Sequence, residues 1–312
     1  MKIGLIGLDS SHVLAWLGAA VAGEGAGADA DAGERSVEWT GAWGEASPDM
    51  ALSRDRIEGI TREVRERGVL PILGSVAEVV ATAEAVIVCG VDARRRAEVV
   101  AEVLRARRDG GLRVFVDKPL ALSGAVGAEI VQRVRARGGQ VMSCSCFRPV
   151  GLAVAATVGA RLESGGEGAV LHVRAPLLLE PAHGRYFWYG IHAVELLYAC
   201  FGPGCVAVAV ERGLSGEVAT ARWGDGRAAR IEWVHDGAAE FSLGIEDAAG
   251  RRSEIDLRWD YARAQADLWR EMVRFFGSGI PLVPAEETAE ILRFLEAAER
   301  SWATGGEVAL ES

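Results

Sequence analysis

The feature that most constrains this chain is an alternation of strand-like and helix-like segments. "KIGLIGL" (2–8), "AVIVCGV" (85–91) and "LRVFVDKP" (112–119) are short runs dominated by aliphatic residues. Runs of this kind are strands buried on both faces, as in a parallel sheet. "VEWTGAW" (37–43) and "VLPIL" (69–73) read as two further strands. Between them, Val13, Trp16, Leu17, Ala20 and Val21 recur at helical spacing, as do Ile57, Ile60 and Val64. "SVAEVVATA" (75–83) and "DARRRAEVVAEVLRARR" (92–108) are also helices by pattern, and residues 23–36, small and polar, are a loop. Strands alternating with helices predict a doubly wound parallel sheet with right-handed crossovers. A helix (127–139) and a strand, "QVMSCSCF" (140–147), extend this N-terminal α/β domain from residue 120 to about residue 148.

Beyond that point the pattern changes. Six strand-like runs between residues 169 and 259 are punctuated by Gly- and Asp-rich turns, as in a mainly antiparallel sheet. One helix, "YGIHAVELLYACFG" (189–202), lies among them, and two more (262–277 and 285–305) follow. The expectation is a second domain, α+β, over residues 149–312.

Bulk properties exclude several classes of partner. A formal charge of −10 argues against a nucleic-acid backbone as ligand. No apolar run approaches the ~20 residues that span a bilayer, and the N-terminus lacks a signal-peptide pattern. Cys89, Cys144, Cys146, Cys200 and Cys205 are odd in number and scattered. They read as reduced thiols in a cytoplasmic protein, and no zinc-spaced second pair predicts a metal site.

In an open α/β sheet, ligands bind beyond the carboxyl ends of the strands. Three segments end there: Gly7–His12, Cys89–Arg96 and Asp117–Pro119. The third carries the sharpest signal. Of 34 basic residues only Lys2 and Lys118 are lysines, so arginine serves as the cation almost everywhere else. An amine differs from a guanidinium in that its pKa is readily lowered into the range of proton exchange. Pro119 holds Lys118 in an extended conformation. The first segment is a dinucleotide fingerprint, G-x-G-x-x-G, with Asp9 and His12 at its second and third glycine positions. Asp9, Ser10 and Ser11 are all good helix N-caps, and the helix N-terminus behind them attracts an anion. In the second domain, His192 and Glu195 are three apart on one helix face, so the carboxylate is placed to orient the imidazole. His172, His183 and His235 have no partner pattern and read as structural; so does His12, apart from its place in the fingerprint.

The order of these features resembles the Gfo/Idh/MocA family of glucose–fructose oxidoreductase and inositol dehydrogenase relatives. Asp117–Lys118–Pro119 is similar to that family's E-K-P motif. Gly190, His192 and Glu195 are similar to G-x-H-x-x-D, and "PLALS" and the closing "IPLVPAEETAEILRFLEAAERSWATGGEVAL" also fit. The resemblance implies an oxidoreductase with NAD or NADP as cofactor and a sugar, polyol or related small molecule as substrate. It implies Lys118 and His192 as the catalytic pair on a substrate hydroxyl, His192 giving or taking the proton. Glu195 and Asp117 would support them, and Trp188 and Tyr189 would line the substrate pocket. Gly7, Asp9, Ser10, Ser11, His12, Gly90, Asp92, Lys118 and Pro119 would meet the cofactor, with Glu45 as the acid for the adenosine ribose. A homodimer or higher homo-oligomer is expected on the same ground.

The chain also departs from the family. Trp188 stands where many members carry an aspartate, and "DARRR" (92–96) replaces the usual proline and histidine. An indole at 188 is suited to stacking on a sugar face or planar ligand. With the altered glycine loop, these departures favour the alternative reading, a non-catalytic binding or regulatory member of the fold.

Overall fold

A computed structural model describes residues 1–23, 37–107, 109–213, 215–238 and 240–311. The loop expected over 23–36 lies, past Gly23, outside the described residues. The elements begin β1 (Lys2–Ile6), α1 (His12–Val21), β2 (Glu38–Trp43), α2 (Ala51–Arg67), α3 (Val76–Val80) and β3 (Ala85–Val88). There follow α4 (Arg96–Ala106), β4 (Arg113–Val116), α5 (Gly124–Arg135), β5 (Gln140–Met142), α6 (Phe147–Gly165) and β6 (Val170–Pro176). Next come α7 (Ile191–Phe201), β7 (Cys205–Arg212), β8 (Gly216–Trp223), β9 (Ala228–Val234), β10 (Ser242–Glu246) and β11 (Arg252–Ile255). The chain closes with α8 (Tyr261–Ser278), α9 (Ala285–Thr304) and β12 (Val308–Ala309).

Two units emerge. Unit 1 comprises Met1–Ala121, Ala125–Cys144 and Tyr261–Ala285. Its five strands are all parallel, in the order β2-β1-β3-β4-β5. Val86, Ile87, Val114 and Phe115 are fully buried, as strands covered on both faces require. The strand order reverses between β1 and β3, which is where an open α/β sheet leaves a crevice for a ligand. Helix α8 belongs to this unit although it comes late in the chain. Its Gln265 accepts from Trp16 Nε1 at 2.9 Å, and its Trp269 stacks on Trp39 with centroids 5.6 Å apart.

Unit 2 comprises Leu122–Gly124, Ser145–Asp260 and Glu286–Ser312. Its seven-stranded sheet, β11-β10-β6-β9-β8-β7-β12, is antiparallel except where β6 runs parallel to β9. One face is apolar and buried, with Leu171, Val173, Ile231, Trp233 and Ile245. Helices α6 and α7 pack together in this unit. A side-chain carbon added at Gly151 of α6 would stand 2.5 Å from the Ala199 methyl of α7, so glycine is what allows the close approach.

Three expectations are corrected. "VLPIL" is not a strand: it touches the sheet only at a bridge between Ile72 and Ala42, because Pro71 has no N–H to continue a ladder. The strand expected over 140–147 stops at Met142, since the backbone turns at Ser143–Cys146 to begin α6 at Phe147. Helix α6 was not anticipated. Pro149 falls in its first turn, where the ring is tolerated because the amide has no intrahelical partner anyway.

Candidate functional site

In unit 1 the carboxyl ends of β1, β3 and β4 carry the candidate residues. Gly7 has φ +111°, a left-handed conformation open to glycine. A side-chain carbon there would stand 2.3 Å from the Gly90 amide nitrogen, so the turns after β1 and β3 touch at two glycines. A cleft at this point is lined by Gly7, Asp9, Glu45, Gly90, Asp92 and Arg96, among others.

Asp9 does not cap α1. Its carboxylate accepts from Ser53 Oγ at 2.6 Å and from the Val91 amide at 3.1 Å, which turns it toward the protein. Burial pushes this carboxyl up, against those hydrogen bonds and the Arg96 charge. Ser11 is the N-cap but makes no side-chain cap; Ser10 Oγ accepts the His12 amide instead. Asp92 accepts from Ser47 Oγ at 2.6 Å and from the Arg94 amide and guanidinium. The exposed Glu45 is 3.7 Å from Arg95. Arg96 is buried, and its Nε has no hydrogen-bond partner among the described residues.

His12 has a partner that its sequence surroundings did not suggest. Its Nδ1 lies 2.8 Å from Asp117 Oδ2. An ionised carboxylate only accepts, so Nδ1 carries the hydrogen of this bond. Burial alone would raise the Asp117 carboxyl. His12 first, then Lys118 and Arg96, hold it below the usual carboxylate range. Asp117 Oδ1 accepts the Lys118 amide at 2.9 Å, its carbonyl accepts from Arg96, and the Lys118–Pro119 peptide is cis. Lys118 itself is only 7% exposed. A strand end and a carboxylate thus define the backbone from which the amine extends.

In unit 2, His192 lies in the first turn of α7 and is buried. Three aromatic rings meet its imidazole edge-on: Tyr189 at 4.8 Å, Phe147 at 5.7 Å and Phe241 at 6.3 Å. Trp259 extends this aromatic group, 4.7 Å from Phe147. The expected contact between Glu195 and His192 is not made directly. Glu195 Oε2 accepts from Arg148 Nε at 2.8 Å and lies 2.7 Å from Nη2, while Oε1 accepts the Ser145 amide at 3.2 Å. Arg148 also reaches Glu287 at 2.5 Å. Ser145 then faces His192, with Oγ 2.6 Å from Nδ1. Glu195 thus meets the residue that faces the histidine rather than the histidine itself, because the Arg148 guanidinium is the stronger partner for a buried charge.

Trp188 stacks on His183, with centroids 5.2 Å apart and planes within 3° of parallel, so one indole face is already covered. The histidines read as structural have partners too: His172 lies 3.3 Å from Glu246 and His235 lies 3.4 Å from Glu217. Sequence reasoning missed Ser145 and Arg148 altogether. Both precede or open α6 and meet residues some fifty positions away, a separation that leaves no local pattern.

No family model matches the chain, and no curated protein matches it by sequence. Solved structures do match it in fold. GenD2 of gentamicin A biosynthesis, in complex with NAD, is 18% identical with a TM-score of 0.74, the match covering 100% of this chain and 97% of that one. The WlbA dehydrogenase of Bordetella pertussis, in complex with NADH and UDP-GlcNAcA, is 18% identical with a TM-score of 0.70, covering 100% and 99%. The myo-inositol dehydrogenase of Lactobacillus casei, in complex with NAD(H) and myo-inositol, is 13% identical with a TM-score of 0.69, covering 100% and 97%. At these identities the likeness establishes one thing: the chain has, over its whole length, the α/β fold of these dehydrogenases.

Proposed function

We propose that this chain is an NAD(P)-dependent oxidoreductase of the Gfo/Idh/MocA type, acting on the hydroxyl or carbonyl carbon of a sugar, polyol or related small molecule. The observation that carries the reading is Lys118, buried directly after a parallel strand and tied through its peptide to Asp117. The residues present fit a dinucleotide. Gly7 and Gly90 meet at the reversal of strand order, and Glu45 lines the same cleft, suited to a ribose hydroxyl. The N-terminus of α1 offers a positive dipole end to a pyrophosphate, and Asp9 has its charge engaged elsewhere. A bound nicotinamide supplies the hydride acceptor or donor.

The chain's own groups hold the substrate and move its proton. Lys118 holds the reacting oxygen and, in place of His192, exchanges its proton. His192 is the second polar group assigned to that oxygen, and the rings of Tyr189, Phe147 and Phe241 keep water from its imidazole. Asp117 and Glu195 support them through the contacts described above. The second face of the unit 2 sheet carries His172, Arg174, Arg230 and Glu232, and we assign a homodimer contact to it, which light scattering of the purified protein tests. A second reading, a binding or regulatory protein, is favoured by Trp188, which stands in place of the family's aspartate and has one face stacked on His183.

Titration with NADH and NADPH, followed by energy transfer from the tryptophans, separates the two. Saturable binding of one of them is expected. Absence of binding to both at high micromolar concentration removes the enzyme reading. Lys118→Arg is then expected to abolish turnover on a sugar and polyol panel while leaving nucleotide affinity within about twofold, since it keeps the charge and loses the exchangeable proton. Activity that survives this substitution removes the role given to Lys118.

A further inference from the structure

Ser145 is almost fully buried, and its hydrogen bonds can be followed one by one within unit 2. Its amide donates to Glu195 Oε1, and its carbonyl accepts the Arg148 amide at 3.0 Å. Its Oγ accepts the Phe147 amide at 3.1 Å and lies 2.6 Å from His192 Nδ1. One hydrogen occupies the short gap between Oγ and Nδ1, and it belongs either to the ring or to the hydroxyl. Were it on the ring, Oγ would accept twice, and the hydroxyl hydrogen would find no acceptor among the described residues. A buried donor without an acceptor is costly, whereas a hydroxyl that donates to Nδ1 leaves both Ser145 Oγ and His192 Nδ1 paired.

We infer that Ser145 is a positioning residue that fixes neutral His192 as the Nε2–H tautomer, so that the ring offers a hydrogen-bond donor rather than a basic lone pair from its outer nitrogen. Glu195 and Arg148 hold the Ser145 backbone, Phe147 NH holds Oγ, and the hydroxyl hydrogen has one direction left. The consequence deepens the proposed function and rests on it. A neutral imidazole donor stabilises negative charge on a substrate oxygen without giving up its proton, which leaves proton exchange to Lys118. His12 provides the contrast within the same chain. Its Nδ1 meets a carboxylate, so its Nδ1 is the protonated nitrogen.

The test is a long-range 15N–1H correlation spectrum of histidine-labelled protein at neutral pH, without nucleotide or substrate. His192→Gln and His12→Gln spectra assign the signals. The wild-type His192 ring is expected to show a protonated Nε2 and a bare Nδ1, and His12 a protonated Nδ1. Ser145→Ala is expected to shift the His192 tautomer ratio toward Nδ1–H by roughly tenfold, the worth of one buried hydrogen bond, and Ser145→Thr to restore it. A wild-type His192 protonated on Nδ1 overturns the inference, whatever the variants do. So does a ratio that Ser145→Ala leaves unchanged while the far-UV spectrum stays native. Because no nucleotide is present, this outcome is independent of the titration that tests the oxidoreductase reading.

Discussion

Asp9, Asp92 and Asp117 stand just beyond β1, β3 and β4, and each is held by donors of unit 1. Asp92 allows the effect to be sized. Burial disfavours its charge, but the Arg94 and Ser47 hydrogen bonds outweigh it and bring the carboxyl from 3.8 down to about 2. A folded pKa below the unfolded one stabilises the fold fully above the unfolded value, and that stability is lost as pH falls toward the folded value. The difference is worth about 2 kcal/mol. Asp92→Asn is therefore expected to lower the unfolding free energy by that order at pH 7. The gap to wild type should close between pH 4 and pH 2, as read by urea titrations across that range. A gap that persists undiminished at pH 2 assigns the loss to something other than the charge. Lys118 stands out at this scale because lysine is so rare in the chain. The pairing of His12 with Asp117 was not, because 105 positions separate them.

Elements were legible where burial wrote a period into the sequence. β3 is an unbroken aliphatic run, and β4 is apolar and buried after Arg113, because both of their faces are covered. Helix α7 is buried nearly all round and was still recognised, since its length exceeds that of a strand. Helix α6 was lost because Ala, Gly and Val dominate it and Pro149 imitates a stop. That helix nevertheless carries Arg148, which links it to Glu195 of α7 and Glu287 of α9. Removing one member of a buried ion pair costs more than replacing the whole pair. Arg148→Met is expected to cost about 3–5 kcal/mol in chemical denaturation, because two carboxylates lose their cation. Arg148→Met combined with Glu195→Leu should recover part of that loss. If the double variant is no more stable than the single one, the carboxylate is not the source of the penalty.

At the scale of the molecule, unit 1 is not a continuous stretch of chain. Trp16 and Trp39, near the N-terminus, find Gln265 and Trp269 on α8, and Arg113 donates to the Phe276 and Gly277 carbonyls at its end. A polypeptide ending at residue 146 keeps all five parallel strands but loses these partners. It is expected to retain far-UV ellipticity, lose near-UV ellipticity from its tryptophans and bind a hydrophobic dye, the signature of a collapsed state without fixed packing. A sharp cooperative melting transition in that fragment counts against the assignment of α8 to the unit.

The late position of α8 also has a consequence in time. On the ribosome, the parallel sheet is complete once Met142 has emerged, yet the helix that covers Trp16 and Trp39 ends only at Ser278. At about 5–20 residues per second, the indoles of the first strands and helices wait on the order of ten seconds for their cover. For that interval the nascent chain exposes aromatic surface, and its yield in a cell should depend on what shields it during synthesis.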